Sequence, residues 1–322
     1  MSARHAIPGA RRQRGIALIT AILLVALATI LAATIGYENA MTARRGSATF
    51  AFEQSLEVSK AAEAIAAYAL RATRQTYHTT TDPTQPWATP YGPVDLVPGV
   101  TLEAWLADAQ GRFNLNNLVN ADGSTNPNAV LVFANLLTAL QLEPKWAPML
   151  ADWIDSDTVP NNPDGAEDSV YLSQTPPYRA ANMFITSASE ILALPGFGRD
   201  RYLKIAPFIT ALPQGTAVNL CTAPMIVLNA LGPPGTREFT DAQSLAKSRS
   251  EGCFPTVQEF GNFYSDDAAA KAKALGMVTN QSSFFTLTSI VTIGSTQFAL
   301  YSLLHQEGDL RVRPIQRSFT AD

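Results

Sequence analysis

Histidine and cysteine are scarce in this chain, with three of the former and two of the latter among 322 residues. His5, His78 and His305 lie far apart, and none accompanies a nucleophile signature. The sequence has no GxSxG elbow, Walker loop, HExxH pair or dinucleotide-binding glycine fingerprint, so the residue patterns that usually carry hydrolytic, nucleotide-driven and nicotinamide chemistry are missing. Charge is sparse as well: 16% of residues are charged and the net is −4, which gives no general attraction to nucleic acid or acidic lipid. Cys221 and Cys253 are too widely separated for a CxxC redox motif or a zinc knuckle. They predict one structural disulfide if the domain lies outside the cytoplasm; the alternative is two unrelated buried thiols. Catalysis by paired carboxylates needs neither His nor Cys, and it is the one enzymatic route the composition leaves open.

What the chain has in abundance is apolar residues, 47% of the total, enough for one large core or two modest ones. A predominantly apolar run of twenty-two residues, Ile16 to Tyr37, carries no charge. As a helix this run spans about 33 Å, enough to cross a bilayer core. It is longer than the apolar region of a cleavable signal peptide and shows no small-residue cleavage exit, so it reads as an anchor. Arg4, Arg11, Arg12 and Arg14 precede it, against Arg44 and Arg45 behind. That excess predicts a cytoplasmic N-terminus and a periplasmic remainder.

Beyond the anchor, Val58, Ala61, Ala62, Ile65, Tyr68 and Ala69 recur at helical steps, predicting that the helix continues to about residue 74 with a break near Gly46. Five prolines between Thr79 and Pro98 predict a loop. Alternation from Val100 to Leu106 predicts a strand, with a turn near Gly111 and a second strand at Phe113 and Leu115. Asn126-Pro127 reads as an N-cap and first helical residue. Helical patterns continue to about Gly276, and "SASE" (187–190) and "TVQE" (256–259) have capping-box form. Three closely spaced strand patterns, within 283–291, 295–306 and 310–319, predict an antiparallel meander. The order (long helix, strands, helical block, strands) predicts an α+β fold in which a helical block is inserted into a small sheet domain.

Two segments invite a ligand. Asp152, Asp155, Asp157, Asp164, Glu167 and Asp168 precede any Lys or Arg before Arg179, and together they repel unless solvated or neutralised. Asn161, Asn162 and Asn182 add amide oxygens, so the segment supplies what calcium takes. It is not an EF-hand, because Val159 and Pro160 stand fifth and sixth from Asp155. A solvated acidic loop is the alternative. With no His or Cys nearby, zinc and copper are poor fits. The second segment, "LPGFGRDRYLKI" (194–205), has helix-hairpin-helix form, with Arg199, Arg201 and Lys204 available to a phosphate; the simpler reading is a tight turn joining two packed helices.

The N-terminal run resembles that of type IV pilins and type II secretion pseudopilins. The resemblance implies that a prepilin peptidase cuts between Gly15 and Ile16 and leaves the apolar helix on the mature protein. Most of that class carry Glu at the fifth mature position, where this chain has Thr20. One minor pseudopilin group, the general secretion pathway protein K family, lacks that Glu. The segments "DAQGRFNLNNL" (108–118), "DWIDSD" (152–157), "GAEDSVYLSQTPPYRAAN" (165–182) and "VNLCTAP" (218–224) resemble its motifs in order.

That resemblance implies a pilin-like fold with a long N-terminal membrane helix, an antiparallel sheet and a large inserted α-helical domain. The expected division is a leader over 1–15, a transmembrane helix over 16–37 and its continuation over 38–74. The pilin-like domain then takes 75–118 and 277–322, around an insert over 119–276. The resemblance further implies a tip subunit with no catalytic role, held in the inner membrane by a single pass. Its expected partners are other minor pseudopilins, the major pseudopilin, the prepilin peptidase and secreted proteins, with no nucleic acid. It favours a structural calcium ion on Asp155, Asp157, Asp164, Glu167 and Asp168, with Asp152 facing a helix instead. The competing readings are a minor pilin of a type IV pilus and a membrane-anchored periplasmic hydrolase.

Overall fold

The computed structural model describes residues 14–233, 235–264, 267–308 and 310–320; residues 1–13 of the expected leader lie outside them. The chain divides into two compact units, 1–56 and 57–322. Helix α1 (Arg14–Thr76) supplies the described part of the first unit and continues into the second. From Ile16 onward it is long and apolar enough to cross a membrane, and its most apolar stretch has no buried residue. No proline interrupts it, and within its apolar run the hydroxyls of Thr20, Thr29 and Thr34 bond to carbonyls one turn back. Thr20 Oγ1 donates to Ile16 O at 3.1 Å and to Ala17 O at 3.0 Å, satisfying the hydroxyl within its own helix. The expected break near Gly46 does not occur. One exposed glycine costs a helix about 1 kcal/mol relative to alanine, which is too little to end it.

In the second unit the remaining elements, in chain order, are β1 (Tyr91–Val97), β2 (Val100–Asp108), β3 (Phe113–Asn114), α2 (Pro127–Ala139), α3 (Trp146–Ile154), α4 (Asp168–Tyr171), α5 (Gly198–Ile205), β4 (Ile209–Thr210), β5 (Val218–Asn219), α6 (Met225–Leu231), α7 (Ala242–Arg249), α8 (Val257–Asn262), α9 (Ala268–Leu275), β6 (Val278–Thr279), β7 (Phe284–Ile293), β8 (Thr296–Gln306) and β9 (Val312–Ser318). An antiparallel sheet runs in the order β1-β2-β7-β8-β9. Ala62, Ala66 and Leu70, four residues apart on α1, pack with Trp87, Leu102, Phe285, Leu287, Val291 and Leu304. Small side chains at that spacing let the helix lie close to the sheet. The expected C-terminal meander is present as β7, β8 and β9, with Gly294 (φ 61°) in the tight β7–β8 turn.

Two local expectations needed correction. The proline-rich stretch is not all loop: β1 forms at the sheet edge, with register shifts on either side of Val94–Asp95. An edge strand tolerates Pro93 because only one side of it needs ladder hydrogen bonds. The expected second strand shrinks to Phe113–Asn114, paired in parallel with β4, and a 3₁₀ turn follows over Leu115–Leu118. The asparagines explain the turn. Asn114 Oδ1 accepts from Leu212 N and its Nδ2 donates to Pro213 O, while Asn116 binds both backbone groups of Ile185 and Leu212 O. Side chains clamping distant backbone replace a strand ladder.

The chain leaves the sheet at Asp108 and returns at Phe284, and the helical block fills that interval around its own core, which includes Phe133, Leu136, Trp146, Leu150, Phe197, Leu228 and Phe260. Helix α2 starts at the predicted Asn126 cap, and both capping boxes form, at Ser187/Glu190 on a 3₁₀ turn and at Thr256/Glu259 on α8. Cys221 and Cys253 form a disulfide. The junction with the sheet is a buried polar knot: Asp108 accepts from Gln110 N, Asn219 Nδ2, Thr222 Oγ1 and Ser282 Oγ at 2.5–2.9 Å. Burial pushes its carboxyl above the ordinary range, and those four donors pull the other way.

Candidate metal centre

The acidic segment begins on α3, whose apolar face (Trp146, Ala147, Leu150, Ala151 and Ile154) is buried. That packing carries Asp152 into the interior, where it is fully buried. Its carboxylate accepts from Asn161 N at 3.1 Å, Ala166 N at 2.6 Å and Asn161 Nδ2. Asp152 thus clasps the returning loop, and its burial raises its pKa. Gly165 passes directly over it: a Cβ there would overlap the Asp152 carboxylate and the Asn161 backbone.

The clasp folds the loop so that carboxylate oxygens of Asp155, Asp157 and Glu167 all lie within 4.8 Å of one another. Asp155 is the α3 C-cap residue, and its Oδ2 accepts from Thr125 Oγ1 at 2.9 Å. Asp155 and Glu167 are only 1% and 5% exposed. Yet Asp155 Oδ1 and both Glu167 oxygens have no hydrogen-bond partner. Burial is the main cause that pushes Asp155 up to about 6 and Glu167 up to about 7, and the neighbouring carboxylates add to it. Buried acceptors facing one another with no donor are stable only when protonated or bound to a cation.

Of the expected ligands, the structure gathers Asp155, Asp157 and Glu167. Asp168 stands apart, accepting from Ala180 N at 3.1 Å and pairing with Arg179 at 3.5 Å, and Asp164 is exposed at the loop surface. Asp152 faces inward from its helix, clasping the loop. Thr125, thirty residues before Asp155, has no sequence signal that ties it to the site. The donors are all oxygen, the set suited to a hard cation such as calcium and poorly suited to zinc or copper. Trp153, Tyr171 and Tyr178 form an aromatic wall, with Trp153 and Tyr171 centroids 5.1 Å apart. Proximity to Asp152 and Glu167, on top of burial, raises the Tyr171 hydroxyl.

The helix-hairpin segment forms a tight turn with Gly196 (φ 81°) and Gly198 (φ 75°) in left-handed conformation. Phe197 between them is fully buried and lies edge-on to Trp146 at 5.2 Å. Arg201 Nη1 donates to Gly196 O and Phe197 O at 3.0 and 2.8 Å. Arg201 is thereby engaged with the turn's own carbonyls.

Comparison with known proteins follows the same lines. Residues 111–214 match the family model described as type II secretion system (T2SS), protein K. The chain is 31% identical to the type II secretion system protein K of Pseudomonas aeruginosa, over 95% of this chain and 93% of that protein. It is 30% identical to the protein of the same name from Klebsiella pneumoniae, over 92% and 94% respectively. A chain in the crystal structure of the GspK-GspI-GspJ complex from enterotoxigenic Escherichia coli matches with a TM-score of 0.74 and 26% identity, covering 85% of this chain and 98% of that one.

Proposed function

The chain belongs to the protein K family of type II secretion systems, and from that premise we propose that it is the minor pseudopilin at the tip of the pseudopilus. Its role is in assembly and export. The observation that carries the reading is the exposed apolar half of α1, continuous with a segment that packs on an antiparallel sheet. An apolar helix with no partner of its own serves as a membrane anchor before assembly and as a packing surface for neighbouring helices afterwards. Ile16 is the mature first residue, the arginines before it stay cytoplasmic, and the C-terminal unit faces the periplasm.

The solved relative is in complex with GspI and GspJ, and this chain takes the corresponding minor pseudopilins of its own system as partners. Thr20 offers no carboxylate to the amine of a subunit beyond it, its hydroxyl being bonded to Ile16 O and Ala17 O; that suits a terminal position. A calcium ion held by Asp155, Asp157 and Glu167 neutralises the buried carboxylates and locks the loop of 155–167. Its role in this reading is structural, since Asp155 and Glu167 are buried and the ion relieves their mutual repulsion. Mass spectrometry of the mature N-terminus, with and without prepilin peptidase, tests the pseudopilin reading. A chain starting at Ile16 only in the presence of the peptidase is the expected result; one that keeps Met1 in both strains overturns it.

A further inference from the structure

The segment 178–185 crosses the surface beside the acidic cluster as a strap. One end is held by Tyr178 Oη on Ala193 O at 2.7 Å and by Ala180 N on Asp168 Oδ1 at 3.1 Å. The other is held by Ile185, whose N–H and C=O both bind Asn116. Between them lie two exposed apolar residues, Met183 and Phe184, at 65% and 41% exposure.

The middle of the strap hangs on Asn182. Its backbone is left-handed (φ 46°), a conformation asparagine tolerates better than most residues. Its N–H donates to Trp153 O at 3.0 Å, and its Nδ2 donates to Asp157 O at 2.9 Å. That second bond orients the amide: a carbonyl can only accept, so the nitrogen end must face Asp157. The oxygen end, Oδ1, is buried without a hydrogen-bond partner. It shares that condition with Asp155 Oδ1 and both Glu167 oxygens, and the residue it is tied to, Asp157, belongs to the same cluster.

We propose that Asn182 is a further ligand of the cation held by Asp155, Asp157 and Glu167, and that the bound ion thereby fixes the strap presenting Met183 and Phe184. The inference rests on the calcium reading above. A neutral amide oxygen adds a donor without adding to the repulsion among three carboxylates, which suits a divalent ion that takes several oxygens. When the ion leaves, the carboxylates repel one another and Oδ1 loses its counterpart. The strap centre then keeps only the bonds from Asn182 N–H and Nδ2.

The test uses the full chain in detergent, stripped with EGTA and titrated with calcium by calorimetry. Amide hydrogen exchange over 178–185 is followed with and without the ion. Asn182→Gly keeps the left-handed backbone while removing the amide; Asn182→Asp keeps an oxygen ligand but loses the Nδ2 donor. The expected outcome is that Asn182→Gly loses about tenfold or more in calcium affinity, with its strap exchanging fast at calcium levels that protect the wild type. Asn182→Asp is expected to bind at least as tightly as wild type. If Asn182→Gly binds as tightly and is protected as well as wild type, Asn182 is not a ligand and the three-carboxylate site stands. Should Asn182→Gly not fold in EGTA, Asn182→Asp decides: tenfold weaker binding assigns the effect to the lost donor and overturns the proposal. A wild-type chain that takes up no calcium removes the site itself, and this inference with it.

Discussion

Arg317 on β9 grips Glu63 on α1 with two parallel hydrogen bonds, Nε to Oε1 and Nη2 to Oε2, both 2.7 Å long. Ser302 Oγ on β8 completes the contact at 2.6 Å. Glu63 is buried, whereas the arginine side chain is 43% exposed, so one strand-borne cation holds a carboxylate that the helix carries into the sheet. A bidentate pair of this kind fixes geometry as well as charge. It ties the penultimate strand and the last one to the helix that anchors the chain.

Removing one partner strands a buried charge, and removing both does not. Arg317→Met is therefore expected to cost about 2–3 kcal/mol, discounted from the fully buried range because the arginine is part exposed. The double variant Glu63→Met/Arg317→Met should recover much of that loss. Urea unfolding of the two variants checks the order; a double variant less stable than the single one contradicts it.

The cluster of Asp155, Asp157 and Glu167 has a pH signature. Asp155 at about 6 and Glu167 at about 7 stand above their ordinary values near 4. In that window the folded chain holds protons that the unfolded chain releases. Their contribution is full below pH 4 and is lost as pH rises through 6 and 7. In EDTA the melting temperature should therefore fall from pH 4.5 to pH 8. Saturating calcium should reverse the trend, because metal ligands bind deprotonated. Glu167→Gln should flatten the EDTA profile and abolish the calcium effect. An EDTA profile identical in wild type and variant would mean that Glu167 is not the strained group.

Gly165 leaves no room for a methyl group above Asp152. Gly165→Ala must push the loop off the carboxylate that organises it, at a cost of about 1–3 kcal/mol for overpacking. Calcium affinity should fall with it, since the same clasp brings Glu167 to Asp155. Thermal melts with and without calcium would show the variant losing most of the calcium-induced shift.

Opening the disulfide, which spans a sequence separation of 32 residues, should cost about 3–4 kcal/mol in the chain-entropy view. The fold should survive, because Arg249 holds the same region independently. Its guanidinium donates to Phe254 O, Leu220 O and Ala223 O at 2.6–2.8 Å, and burial lowers its pKa to about 10. Cys221→Ala/Cys253→Ala should unfold cooperatively at lower urea. Adding Arg249→Met should cost more than the sum of the two changes made separately, because they support one loop.

The sequence by itself determined whatever depends on neighbours along the chain. The apolar run, the helical face of Ala62 and Ala66, the Asn126 cap, the two capping boxes and the alternation of β2 all follow from local periodicity and local hydrogen bonding. The motifs also carried the family resemblance. The tertiary structure alone decided what depends on distant partners. Pro93 became part of a strand because β2 offered it an edge, and Asn114 and Asn116 made a turn because the backbone at Ile185 and Leu212 lay within reach. The acidic segment shows the division most plainly. Composition announced six carboxylates suited to an oxygen-binding cation, but burial sorted them. Asp152 went to backbone amides, Asp168 to Arg179, Asp164 to the surface, and only Asp155, Asp157 and Glu167 were brought together. Periodicity fixes which face of an element is buried, but which buried oxygens meet is set by the path of the chain between elements, and that path is read only from the folded structure.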